Sequence, residues 1–190
     1  MRVPLEIEQP LWRELIAQLK QRGRGDRESG AFLLGPADSD MVTRFICYDD
    51  LDPHALQEGI INFNGNGFVP LWKTCSEEQL KVQADVHTHP GEWTGQSGVD
   101  QANPMILQAG HIALIVPAYA QLEQQMLEGV GAYEYLGSKR WKTFPHAAAI
   151  IKFKAKEHGI FRKFFQSLID RFDRKKWFWG GRSAAAAEKF

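Results

Sequence analysis

The chain has 190 residues, with 23 Lys and Arg balanced by 23 Asp and Glu; 44% of the residues are apolar and 24% charged. This is a globular composition, long enough for one domain with a sizeable core plus an appendage, and it excludes an intrinsically disordered chain. No run of eighteen apolar residues occurs, so no transmembrane helix is expected, and the first eight residues, with acids at alternate positions, are no signal peptide.

Residues 3–8 read as a first strand. Apolar side chains at 11, 12, 15, 16 and 19 give the helical period to residues 11–21, and Gly23 ends that helix. Residues 30–34 and 41–48 read as strands, and 51–66 as an irregular segment containing the turn-rich run from Asn62 to Gly67. A helix over 68–79 precedes a strand over 82–89. A helix of about ten residues is predicted from Ser97 towards Gly110. A strand over 111–116, a loop or short helix over 117–125, and a hairpin of 130–136 with 140–144 around Gly137-Ser138 complete the pattern. Strands interleaved with helices predict a three-layer α/β domain: a mixed central β-sheet flanked by helices.

The densest chemistry is the run His87-Thr88-His89-Pro90, then six residues, Ser97, two more and Asp100. Residues two apart on a strand point to one face, so His87 and His89 project together. Ser97-Gly-Val-Asp100 fits a helix start, and a capping box alone accounts for that pair. Two imidazoles from a strand end and a carboxylate from a helix start, with water as the fourth ligand, make the usual layout of a hydrolytic zinc site.

This string resembles the JAMM motif of the JAB/MPN metalloproteases, and Arg27 to Gly35, a glutamate followed by a glycine and an apolar strand, resembles the family's upstream segment. Over residues 3–145 the resemblance implies the MPN (JAB) fold, with an architecture like that of cytidine deaminases. It makes His87, His89 and Asp100 the ligands of Zn2+, Glu28 the general base and Ser97 the hydroxyl that supports the oxyanion. By itself Glu28 is one acid in the charged stretch 22–28, and only the resemblance lifts it above Asp26. The segments Gly110 to Pro117 and Gly131 to Gly137, with Arg140-Trp141, resemble bacterial members encoded beside E1-like and E2-like enzymes. That likeness implies an isopeptidase or peptidase that cleaves after the C-terminal Gly of a ubiquitin-like protein, as a conjugate or a precursor, in an antiphage operon; E1-like and E2-like enzymes are its expected partners. A catalytically silent MPN scaffold and the processing of a sulfur-carrier ubiquitin-like protein are the alternatives. The substrate tail is expected between residues 51–68 and 91–96, with Trp93 or Phe68 shielding the scissile bond; Trp93 can equally pack on the domain.

A zinc deaminase would need His-x-Glu and Pro-Cys-x-x-Cys, and the chain has neither. Cys47 and Cys75 form no CxxC pair, which points to a reducing, cytoplasmic setting and no structural zinc site; Cys75 reads as a buried small hydrophobe rather than a channel residue. Charge divides the chain: residues 151–190 hold 11 Lys and Arg against 4 Asp and Glu, and residues 1–150 hold 12 against 19. A boundary near 150 is therefore expected, with a catalytic domain over 1–150 and a basic amphipathic helix and tail over 151–190. The apolar stripe at 160, 161, 164, 165, 168, 169 and 172 can pack on the domain, dock a partner or lie on an anionic membrane. Membrane contact is not the expected one, nor is nucleic-acid binding, because the body is acidic.

Overall fold

The structure is a computed structural model; it describes residues 3–122 and 126–154, which belong to one unit, Met1–Lys154. The stripe at 160–172 and the basic run that follows lie outside the described residues. Among the described residues no helix is long and apolar enough to cross a membrane.

The short strand β1 (Leu5–Ile7) leads into helix α1 (Gln9–Gly23). Pro10 sits in the first turn of α1, where a missing N–H costs nothing. Lys20 and Arg22 occupy the last turn, where cations suit the helix dipole, and the helix stops when Arg24 takes a positive φ of 52° and donates its N–H to Lys20 O. Trp12, Leu15 and Leu19 are fully buried on one stripe of α1, each stabilising by about 1.5–3 kcal/mol relative to exposure.

A six-stranded sheet forms the body. Its strands are β2 (Gly30–Pro36), β4 (Arg44–Cys47), β5 (Leu80–Thr88), β6 (Ile112–Val116), β7 (Gly131–Gly137) and β8 (Arg140–Phe144). The spatial order is β4-β2-β5-β6-β7-β8, antiparallel throughout except that β5 and β6 run parallel. A second, three-stranded parallel sheet joins β3 (Met41–Val42), β1 and β9 (Ile151–Phe153). The fold is thus mixed α/β with helices on both sheet faces. Ala31 and Leu33 of β2 and Ala84 and Val86 of β5 pack with α1, β1 and β9. Phe32 and Leu34 face the other way, onto Tyr48 of α2 (Tyr48–Leu51) and Leu71 and Cys75 of α3 (Phe68–Glu77). The register shifts between Leu33 and Leu34, opposite Gln83; this bulge puts Val82 against the α3 side while Ala84 and Val86 pack on the α1 side.

Two expectations need correction. The helix predicted from Ser97 to Gly110 is only α4 (Gly98–Ala102). Pro104 disfavours a helical residue before it, and Asn103 takes φ −129°, ψ 67°. The strand predicted over 41–48 breaks at Thr43 into β3 and β4, which enter different sheets, and Tyr48 starts a helical turn. The described unit runs to Lys154, close to the expected division near 150, with β9 paired to β1 and the Lys154 N–H donating to Ile7 O. Charge composition carries no signal of a three-residue parallel strand.

Gly35 allows β2 to pass close to β3: a Cβ there would overlap the carbonyl of Met41, a backbone group that cannot swing aside. Gly35→Ala is expected to destabilise the fold by at least about 1–3 kcal/mol, the usual cost of overpacking. The measurement is the urea midpoint of the purified chain, and an unchanged midpoint would show that β3 yields freely.

Candidate metal centre

The site lies at the carboxyl end of β5. Asp85 and His87 share the sheet face opposite Ala84 and Val86, and His89 follows one residue past the strand end. Because β5 and β6 are parallel, the chain must cross over between them, and this connection carries residues 90–111 over the strand end. It brings α4 and Asp100 back to the histidines.

His87 Nε2 and His89 Nε2 are 3.1 Å apart. The Asp100 carboxylate straddles the pair, with Oδ1 at 3.4 Å from His87 Nε2 and Oδ2 at 3.3 Å from His89 Nε2. A tetrahedral zinc with bonds of about 2.0–2.1 Å to N and O separates its ligand atoms by about 3.3 Å. The separations, one to each carboxylate oxygen, lie near that value, and among the described residues His87, His89 and Asp100 are the one His/Cys/Asp/Glu group that could hold a metal.

The capping box at Ser97 is present and serves the site. The Asp100 N–H donates to Ser97 Oγ at 3.1 Å, and the Ser97 N–H donates to Asp100 Oδ2 at 2.6 Å, which fixes the carboxylate. The Ser97 oxygen acts there as an acceptor, and Ser97 lines the cavity. Burial pushes the Asp100 carboxyl up, but hydrogen bonds with His87 and His89 overcome this and hold it far below the usual carboxylate range. Burial pulls the His87 imidazole down, and the hydrogen bond and charge of Asp100 raise it above its ordinary value.

Glu28 precedes β2. Its N–H donates to Gly59 O at 2.8 Å, and its carboxylate accepts the Ile61 N–H at 3.4 Å. Burial raises its carboxyl above the usual range, against the pull of His87 and His89. Glu28, His87, Ser97 and Asp100 line one cavity of about 610 Å³, whose apolar walls include Ile60, Ile61, Phe63 and Trp141.

Trp93 is 62% exposed and stacks on His89, with ring centroids 5.7 Å apart and an interplanar angle of 27°. Gly95 makes room for it, since a Cβ there would overlap the indole. Phe68 lies elsewhere, edge-on to Phe63 at 4.9 Å in the aromatic cluster of the α3 side; Phe63 is the member of that cluster that lines the cavity. Both cysteines are free and buried, Cys75 within that same cluster.

Several residues that shape the site escaped the sequence reading. Ser29 and Thr88 bind reciprocally: the Ser29 N–H donates to Thr88 Oγ1, and the Thr88 N–H donates to Ser29 O, both at 2.9 Å. This joins the residue after Glu28 to the residue between the two histidines. Ala118, Tyr119 and Ala120 have positive φ of 51°, 52° and 59°, a conformation costing roughly 1–2 kcal/mol per residue. There the Tyr119 N–H donates to His89 O and the Ala118 N–H to Gly91 O, each at 2.8 Å, clamping the His89-Pro90-Gly91 segment. Neither alanine nor tyrosine signals such a turn. Asp85 is bonded to His111 beneath the cavity, and nothing in its spacing marked it.

No family model matches the chain. Solved structures show the fold. A protein from Desulfitobacterium hafniense superposes with a TM-score of 0.57 at 17% identity, over 81% of this chain and 96% of that one. A protein from Salinibacter ruber gives 0.53 at 13% identity, over 80% and 94%. A JAB1/MPN domain protein from Archaeoglobus fulgidus gives 0.41 at 17% identity, over 70% and 96%.

His87→Ala, His89→Ala and Asp100→Ala are each expected to remove stoichiometric zinc, whereas Ser97→Ala retains more of it than Asp100→Ala. Elemental analysis of the purified variants decides this; one zinc per chain in all three ligand variants would sink the assignment. Imidazole and carboxylate also suit iron and cobalt, so the metal-loading conditions are fixed beforehand.

Proposed function

We propose that this chain has the MPN architecture and is a zinc-dependent isopeptidase or peptidase of the JAB/MPN type. It cleaves after the C-terminal Gly of a ubiquitin-like protein, in the cytoplasm, with E1-like and E2-like enzymes as partners and an antiphage setting. The observation that carries this reading is the convergence of the His87, His89 and Asp100 donors with a half-buried Glu28 in one cavity.

His87, His89 and Asp100 would hold the zinc, which when bound would supply Lewis acidity and a more acidic water. Glu28 takes a proton from the attacking water as its oxygen adds to the scissile carbonyl carbon. Its carboxyl, raised by burial, sits closer to neutrality than a solvated glutamate and so suits both halves of this proton transfer. The Ser97 O–H donates to the carbonyl oxygen as negative charge develops there, a donor worth roughly 3 kcal/mol when preorganised. The C–N bond then breaks, and Glu28 returns the proton to the departing nitrogen.

Residues 58–63 form one wall of the cavity, and the 91–96 loop brackets the ligands from the other side. The proposed tail would lie along these segments, of which Gln96 is the 91–96 residue that lines the cavity. The loop is anchored, because Tyr133 donates its O–H to Thr94 O at 2.8 Å. A silent scaffold has no use for Glu28 held beside the ligand cluster, and the first experiment below separates the two readings.

Glu28→Gln is expected to keep zinc and fold yet lose about a hundredfold to ten-thousandfold in kcat on a ubiquitin-like substrate, the range for a positioned acid–base group. Cleavage at the wild-type rate would refute its role as base. Trp93→Ala is expected to raise KM for a modifier-derived substrate more than it lowers Tm, since the exposed indole has little to lose in packing. The opposite pattern would make Trp93 a structural cover of His89.

A further inference from the structure

Tyr48, Asp85 and His111 form a buried polar network, of which Tyr48 and Asp85 also line the cavity. His111 Nε2–H donates to Asp85 Oδ1 at 2.5 Å, and both side chains are 3% exposed. Tyr48 O–H donates to Asp85 Oδ2 at 3.3 Å. A buried carboxylate is a costly way to fill this space; an apolar side chain of similar volume would be no less stabilising. The neighbours of Tyr48 show what the network holds.

The Tyr48 ring fills the space above Gly30, where any Cβ would overlap it. Gly30 stands two residues from Glu28 and is paired with His87 across β2 and β5. On its other side the ring meets Phe63, with centroids 5.4 Å apart, at the end of the 59–63 segment whose Gly59 O and Ile61 N–H bond Glu28. Tyr48 thus touches both structures that position Glu28: the start of β2 and the loop. Its hydroxyl ties it to Asp85, which stands on the same strand and the same face as His87.

We infer that Tyr48, pinned by Asp85 and His111, is a positioning residue that sets Glu28 against the metal-ligand cluster. The inference rests on Glu28 being the base, as proposed above. Phe32 and Phe63 confine the ring laterally, Gly30 lies against its edge, and the hydroxyl ties its far end to Asp85. Losing the hydroxyl lets the ring shift, and Gly30 and the loop follow.

The test uses the full zinc-loaded chain. Tyr48→Phe keeps the ring and is expected to retain one zinc per chain and an unchanged KM. Its kcat is expected to fall by about tenfold to a hundredfold, the scale of a sub-ångström to ångström misplacement. Hydrogen exchange at the Glu28 and Ile61 amides is expected to speed up by about tenfold, since local opening is what exchange reads. In a Glu28→Gln background the same change is expected to cost nothing further in kcat, because the two act through one group. Asp85→Asn, which can still accept from Tyr48 and meet His111, is expected to recover most of what Asp85→Ala loses. Unchanged exchange at both amides, an equal kcat loss in both backgrounds, or Asp85→Asn as slow as Asp85→Ala would each overturn the positioning role. A wild-type chain without peptidase activity, or a Glu28→Gln variant at full rate, would instead fail the proposed reaction, and the exchange measurement would still decide whether Tyr48 holds Glu28.

Discussion

The antiparallel pairing of β2 with β5 is the constraint on which the rest of the site depends. It places Gly30 opposite His87, and the reciprocal Ser29–Thr88 bonds lock the strand ends beyond. Side chains alternate along a strand, so a slip of one residue would send His87 to the α1 face and bring Val86 into the cavity. The bulge opposite Gln83 serves this register. It lets Val82 pack with the α3 side while Asp85 and His87, further along, point to that side too. The hydrophobic burial of Ala84 and Val86 against α1 thereby aims the imidazoles, and a core interaction fixes a chemical one.

The parallel β5–β6 pair supplies the second half. No tight turn can join parallel neighbours, so a long connection had to cross the strand end, and the site uses it as the carrier of Asp100. α4 has five residues, too few for helix propensity to sustain it in isolation. Its ends and neighbours hold it: the Ser97–Asp100 box, Gln101 Nε2–H donating to Gln96 O at 3.3 Å, and Trp141 Nε1–H donating to Gln101 O at 3.2 Å. The capping reading and the ligand reading of Ser97 and Asp100 are therefore one arrangement. The carboxylate that caps the helix start is held by the cap in the orientation that faces the histidines.

What was legible in the sequence divides along physical lines. The apolar strands and the stripe of α1 were legible because burial selects residue type, as at Trp12, Leu15 and Leu19. The His87, His89 and Asp100 group was legible because its members are close in sequence. The small β3-β1-β9 sheet was not, since two- and three-residue parallel strands are held by distant backbone partners rather than by any local pattern. The left-handed run at 118–120 was hidden because alanine and tyrosine do not announce positive φ. Asp85 looked like any strand acid until His111, 26 residues on, was seen against it. The placement of Phe68 in the aromatic cluster, with Phe63 at the cavity wall, turned on which side of a helix start faced inward, and the Gly-rich run before it concealed that.

The same division explains where stability is surrendered. Three residues with positive φ, a buried Asp85–His111 pair and a half-buried Glu28 all lie within the shell around one strand end. None is what packing alone would select, and each is a strained backbone, a desolvated charge or both. Beside them every residue of β6 is buried, and Ala31 to Leu34 of β2 show no exposure. A rigid apolar frame of this kind tolerates a few unfavourable choices in one place, because local strain cannot relax without unpairing β2 from β5. Within that frame the Ser97 box holds the Asp100 carboxylate against both histidines.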